Sequence, residues 1–215
     1  VREKEPHTTL LLVRHGDPDY PETRIYARAD DPGLTPEGRR QAAMLGEWIK
    51  GLRVDALYVS PTRRTRETAE PMAQALGLKA TLDGRLEERH FGIWEGMDFD
   101  AIRDQHPAEF TAWKTDPIGF APDGGETIVD LGRRVDQALG EVRDRHAGGT
   151  VLVVTHVGVI RTALCSALGT PLAEYRRFHV ATGSVARIDY GRRQANLMYL
   201  GVLPGGWDGW KGGDL

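Results

Sequence analysis

Apolar residues recur along this chain with two periods, and the two periods alternate. Leu10-Leu11-Leu12-Val13 and Val151-Leu152-Val153-Val154 are continuous runs with no charge inside them, the pattern of strands buried on both faces of a parallel sheet. Ala56-Leu57-Tyr58-Val59 is a shorter run of the same kind. Between these runs the spacing becomes helical. Thr35 stands as an N-cap with Pro36 at the first helical position, and Leu45, Trp48, Ile49 and Leu52 follow on one face, with Gly51 helping to end the helix. Ser60-Pro61 opens a second helix that runs to Leu76 and stops at Gly77. Ile128, Leu131, Val135, Leu139 and Val142 mark the stripe of a long amphipathic helix ended by Gly148-Gly149. Gly158 to Leu168 is another helix, with Gly169 at its C-terminus. Val185 to Tyr190 and Ala195 to Leu200 read as a closing pair of strands joined by Gly191-Arg192-Arg193-Gln194. Strands alternating with helices predict an α/β fold around a parallel sheet.

The pattern weakens from Leu82 to Pro122, where Asp98–His106 and Ala108–Lys114 read as two short helices separated by Pro107. An insertion here, around 83–122, is expected to lie over the strand ends as a short cap. With no repeat and no break in composition, residues 8–203 read as one domain. Residues 1–7 are polar and expected to be loose, and residues 204–215 are a Gly/Trp-rich tail.

Composition narrows the function classes. The chain has 215 residues, enough for one α/β domain, and 40% of them are hydrophobic. A formal charge of -3 supplies no general field for nucleic acid, so any phosphate must be held by a local group of cations. The single cysteine, Cys165, sits in an apolar segment and reads as a small buried hydrophobe. One cysteine excludes an intramolecular disulfide and a Cys/His metal knuckle. No apolar run approaches membrane-spanning length, so neither membrane nor nucleic acid is expected as a partner, and a cytoplasmic location is the default.

Candidate chemistry lies where the strands end. Both apolar strands deliver a histidine, His15 after Arg14 and His156 after Thr155. Ligands of open α/β sheets bind outside the carboxyl ends of the strands. His15 reads as a nucleophile toward phosphorus, with Arg14 holding the phosphate and Gly16 allowing a sharp turn. The strand ending at Ser60 leads to Pro61-Thr62-Arg63-Arg64. A guanidinium suits phosphate because it donates two parallel hydrogen bonds and stays charged; Arg63 and Arg66 read as a solvated helix face, and Arg64, given its company, as a phosphate contact. A leaving alkoxide needs a proton, and a carboxyl group supplies one. By residue type Glu87, Glu88 and Glu95 are equivalent candidates.

Five short motifs, in order, resemble the histidine phosphatase superfamily, the phosphoglycerate mutase-like group. They are Leu12-Val13-Arg14-His15-Gly16; Leu34-Thr35 with Gly38 and Gln41-Ala42; Ser60-Pro61 with Arg64 and Thr68-Ala69; Glu88 with Gly92 and Glu95-Gly96; and Thr155-His156 with Gly158. They span roughly residues 8 to 200. The resemblance implies a three-layer α/β/α sandwich with a mostly parallel central sheet. It implies His15 as the phosphorylated nucleophile, Arg14, Arg64 and His156 as the phosphate pocket, and Glu88 as proton donor. It implies neither a metal nor another cofactor. The sequence departs from the family after Gly16, where Asp17-Pro18-Asp19-Tyr20-Pro21 contains no asparagine, leaving one phosphate-contacting amide without a counterpart. Asp17 and Asp19 are expected to point outward or pair with Arg24 or Arg28.

The expected activity is hydrolysis of a small phosphorylated metabolite. Glu88-Arg89-His90-Phe91-Gly92 looks partly like the mutases, whereas Pro122-Asp123-Gly124-Gly125-Glu126-Thr127 resembles the phosphatases. A short cap excludes water poorly, which favours hydrolysis over a cofactor-dependent mutase. A non-catalytic phospho-ligand-binding module is the third reading. Val157, beside His156, joins the expected substrate-binding set with Arg28 and Arg89. Arg24, His90, Trp94 and Trp113 are further rim candidates that read equally well as surface charge or aromatic core. A homodimer is admitted, although no residue pattern specifies one.

Overall fold

The computed structural model describes residues 7–26 and 28–204. The chain runs β1 (Thr8–Arg14), α1 (Pro36–Ile49), β2 (Ala56–Val59), α2 (Arg63–Leu76), β3 (Ala80–Leu82), α3 (Phe99–Gln105), α4 (Pro107–Thr115), α5 (Ile128–Arg145), β4 (Thr150–Thr155), α6 (Val157–Leu168), β5 (Val185–Tyr190) and β6 (Ala195–Val202). The six strands form one sheet in the order β3-β2-β4-β1-β5-β6. The first four in that order are parallel; β5 pairs antiparallel with β1, and β6 pairs antiparallel with β5. The sheet is mostly parallel, as expected.

Side-chain alternation along the central strands builds a core on each face. Leu10 and Leu12 of β1, with Val151 and Val153 of β4, pack against Leu131, Val135 and Leu139 of α5 and Ile160 and Leu164 of α6. Leu11, Val13, Leu152 and Val154 point the other way, into a cluster with Leu45 and Ile49 of α1 and Met72 of α2. Strands covered on both faces have no solvent side, which explains why their runs are unbroken.

The structure adjusts four sequence expectations. The second helix begins at Arg63, with Thr62 as the N-cap residue, because Ser60 is still hydrogen-bonded as an extension of β2 through Ser60 N to Val154 O (3.0 Å). Pro107 does not separate the two short helices; it is the first residue of α4, where its missing N–H leaves no bond unmade. The helix after β4 starts at Val157 rather than Gly158. Strand β3 was not expected: it has three residues, and its Leu82 is 53% exposed, so it leaves no apolar run to read.

Between β3 and α5 the chain builds a third, smaller core. Ile25, Trp94 and Ile102 are buried together, with Phe91, Met97, Phe110, Trp113 and Phe120 packed around them. Ile25 comes from the loop after β1 and is tied to the insertion by Ile25 N to Met97 O and Gly96 N to Ile25 O, both 2.8 Å. The loop after β1 and the insertion therefore share one apolar anchor. Residues 1–6 and 205–215, on which the expected loose start and tail fall, lie outside the described residues. Among the described residues no helix is long and apolar enough to cross a membrane.

Candidate active site

Three neighbouring parallel strands finish level with one another. The register pairs Val59 of β2 with Val154 of β4, and Arg14 of β1 with Thr155. The pairing continues one residue further, His15 N donating to Thr155 O at 2.9 Å. His15 and His156 consequently stand side by side, their ring centroids 5.2 Å apart at 61°. His15 is 6% exposed and His156 is fully buried.

The backbone of the first motif fixes the His15 tautomer. Its Nδ1 lies 2.8 Å from the Gly16 carbonyl oxygen. A carbonyl only accepts, so Nδ1 carries the proton and Nε2 keeps its lone pair while the ring is neutral. Burial, followed by the nearby Arg64 and Arg14 charges, holds the His15 pKa well below 6.5, with the Gly16 bond opposing the shift. Gly16 is itself fixed. Its N–H donates to Thr68 Oγ1 (2.9 Å), and a Cβ there would lie 2.6 Å from the Gly38 carbonyl oxygen. Gly38, in the first turn of α1, has no room for a Cβ against Asp17. The glycines of the first two motifs thus let the loop after β1 lie directly on the start of α1.

Two guanidinium groups and the second histidine complete the cluster. Arg14 Nη1 donates to Val180 O at 2.7 Å, and the Arg14 carbonyl accepts from Gly183 N. Arg64 is 3% exposed, and its Nη2 donates to His156 Nδ1 at 3.0 Å. His156 Nδ1 must therefore accept, and Nε2–H donates to Ser60 Oγ at 2.8 Å. Burial and the Arg64 charge hold the His156 pKa well below 6.5 as well. Arg64 Nη1 is buried and has no hydrogen-bond partner among the described residues. The Tyr26 ring covers the same guanidinium, 3.6 Å from Cζ to the ring centroid, a cation–π contact in a desolvated place. Tyr26 follows the anchored Ile25 and donates its hydroxyl to Asp31 Oδ1 at 3.3 Å.

The three candidate acids are separated by their surroundings. Glu88 Oε2 accepts from Gly158 N (3.0 Å) and its Oε1 from Arg89 N (2.8 Å). It therefore sits on the N-terminus of α6, two residues beyond His156. A Cβ on Gly158 would collide with Glu88 Oε1. Glu87 instead faces Arg28 (3.3 Å), and Glu95 accepts from the Arg28 backbone N–H (2.9 Å).

The rim candidates are scattered. The Arg28 side chain is 52% exposed and paired with Glu87. Arg89 is buried, donating Nε to Glu126 O (2.6 Å) and Nη2 to Phe120 O (2.8 Å), so these donors hold backbone. Trp94 is core, 1% exposed, and donates to Glu109. Trp113 stacks on Phe99 and carries Arg176 over its ring. Arg63 pairs with Glu67 on the helix surface. Val157 opens α6, where a helix leaves its first N–H groups without intrahelical partners. Asp17 departs from expectation: its Oδ2 accepts from Thr35 Oγ1 at 2.6 Å, because the glycine contact brings the loop against that N-cap. Asp19 is exposed, as expected.

Sequence reasoning missed Tyr26, Val180 and Gly183. Tyr26 is one of two tyrosines in a loop of turn-forming residues, and the other two act through backbone, so no side-chain pattern announces them. Among the described residues no group of three or more His, Cys, Asp or Glu side chains could hold a metal ion.

Comparisons with known proteins show the family of the chain as a whole. The family model described as "Histidine phosphatase superfamily (branch 1)" matches residues 10–202. Phosphoserine phosphatase 1 of Hydrogenobacter thermophilus is 31% identical over 193 residues, covering 90% of this chain and 92% of that protein. A Klebsiella pneumoniae protein named "Probable phosphoglycerate mutase GpmB" is 33% identical over 186 residues, covering 84% of each. The solved structure of mycobacterial glucosyl-3-phosphoglycerate phosphatase Rv2419c superposes with a TM-score of 0.80 at 26% identity, covering 91% of this chain and 99% of that one. The family match runs from the first strand to the last and includes every strand end described above, and the chain belongs to the histidine phosphatase superfamily.

Proposed function

We propose that this protein hydrolyses a small phosphorylated metabolite through a phosphohistidine formed on His15. In the first step the Nε2 lone pair of His15 attacks phosphorus in line, and the bond from phosphorus to the leaving oxygen breaks. Glu88 gives that oxygen its proton. In the second step water attacks the phosphoryl group and Glu88 takes its proton; the phosphorus–nitrogen bond breaks and inorganic phosphate leaves. Arg14 and Arg64 offset the charge on the non-bridging oxygens. His156, packed edge-on to His15 and bonded to Arg64, completes the phosphate pocket.

One observation carries this reading. His15 is held as the Nδ1–H tautomer in a buried pocket beside Arg64, whose Nη1 has no acceptor among the described residues. A buried guanidinium N–H without an acceptor is costly, and a phosphate oxygen is the acceptor that fits it. The phosphatase names among the relatives support hydrolysis, and the relative named as a mutase supports the second reading. Turnover of p-nitrophenyl phosphate with EDTA present tests the first step and its independence of metal. Loss of turnover on chelation contradicts it, and no turnover at all favours a binding module. Free phosphate measured against isomerised phosphoglycerate, with and without a bisphosphoglycerate primer, separates phosphatase from mutase. A panel of phosphorylated metabolites then identifies the substrate.

A further inference from the structure

The proton donor sits on a segment with little regular structure. Between β3 and Glu88 there is only a 3-10 turn, Gly84–Leu86, and no strand or helix contains Glu88. Its position must come from side chains that reach in from elsewhere. Arg134, on α5, donates Nη1 to Arg85 O (2.7 Å) and to Glu87 O (2.9 Å), and Nη2 to Glu88 O (3.4 Å). Thr155, at the end of β4, donates Oγ1 to the intervening Leu86 O at 2.6 Å. Four consecutive carbonyls are thereby tied to α5 and β4. The other edge of the Arg134 guanidinium is gripped by Glu126, Nε to Oε1 at 2.8 Å and Nη2 to Oε2 at 2.7 Å. The Arg134 and Glu126 side chains are 17% and 13% exposed. Glu126 is fixed in turn, its N–H donating to His90 O and its carbonyl accepting from Arg89 Nε.

We infer that Arg134, oriented by Glu126, is a positioning residue for the Glu88 proton donor. A planar fork with five donors can bind three carbonyls and a bidentate carboxylate together, and an ammonium cannot. The fork delivers Glu88 to the start of α6, where its carboxyl group accepts from the Gly158 N–H, two residues after His156. Misplacing a catalytic group by about 1 Å costs on the order of a hundredfold in rate, so a clamp on the backbone of the donor controls its chemistry without touching substrate. This inference rests on the reading of Glu88 as proton donor.

The test uses leaving groups of different basicity. An alkyl phosphate needs its leaving oxygen protonated, and p-nitrophenyl phosphate does not. Single-turnover phosphorylation of His15 is measured by rapid quench with each substrate. Glu88→Gln is expected to slow phosphorylation by the alkyl phosphate about 100-fold or more and that by p-nitrophenyl phosphate far less. Arg134→Lys is expected to reproduce that selectivity at about tenfold, and to add nothing further in the Glu88→Gln background. Glu126→Gln, which removes the bidentate charge pair without changing side-chain size, is expected to show the same selectivity and serves if Arg134→Lys does not fold. Equal slowing of both substrates, or no slowing, in the Arg134 and Glu126 variants overturns the inference. Absence of selectivity in Glu88→Gln itself overturns the proton-donor reading instead.

Discussion

Gly158 shows how one missing side chain shapes this site. Glu88 reaches the α6 N-terminus only because no Cβ stands there. Gly158→Ala must push the carboxyl group away while leaving both histidines untouched. Single-turnover phosphorylation of His15 by an alkyl phosphate is expected to slow at least about tenfold, with a smaller change for p-nitrophenyl phosphate; rapid-quench measurement with both substrates checks this. Tyr26 carries a second prediction. Its ring shields the Arg64 guanidinium, a contact worth about 1–2 kcal/mol when desolvated. Tyr26→Leu keeps an apolar cover and removes the π face, so Arg64 has more freedom to leave its place. Inhibition by inorganic phosphate, measured as Ki, is expected to weaken by about tenfold. An unchanged Ki would show that Tyr26 does not organise the phosphate pocket.

The main secondary-structure elements were largely legible because burial on both faces writes itself as continuous apolar runs. Leu10–Val13 and Val151–Val154 are strands for that reason, and the stripe Ile128 to Val142 is the buried face of α5. Thr35 and Pro36 begin α1 as their residue types require, with Thr35 accepting from Gly38 N. What could not be read is what acts through exposure or backbone. Three-residue β3 has no period, and Arg89 looked like a rim cation although its donors bind Glu126 and Phe120 carbonyls. Strand order alone brings Arg14, His15, His156 and the Arg63-Arg64 pair to one sheet edge; Glu88 is singled out from Glu87 and Glu95 by the family resemblance, and the hydrogen bonds of all five motif residues needed the folded chain. At this scale the cap of α5 is testable. Thr127 accepts from Asp130 N at 2.9 Å, and Thr127→Ala is expected to cost about 1 kcal/mol of stability by urea unfolding. Because α5 carries Arg134, the same variant shows whether a loosened first turn reaches Glu88.

The molecule as a whole has two buried histidines kept neutral in a cluster with two arginines. Their folded pKa values lie well below the unfolded value of 6.5. Below pH 6.5 the unfolded chain binds protons that the folded chain refuses, so stability falls as pH drops from there. Above pH 6.5 both states hold the two rings neutral, and this contribution no longer varies. Urea unfolding across pH 5 to 7, in a buffer free of phosphate, is expected to show the decline, and His15→Asn is expected to reduce its slope by about one proton. A slope unaffected by that change would mean that His15 titrates normally. Phosphate bound to the native state should raise stability by mass action, most strongly when both arginines are intact.

The most direct measurement is an acid-quenched trap with phosphate-labelled substrate, followed by mapping of the labelled residue. Transfer of label to His15, stable to base and lost in acid, with no label in His15→Ala, is the result expected from a neutral imidazole whose Nε2 keeps its lone pair. Turnover that persists in His15→Ala, or label carried by any other residue, would contradict it.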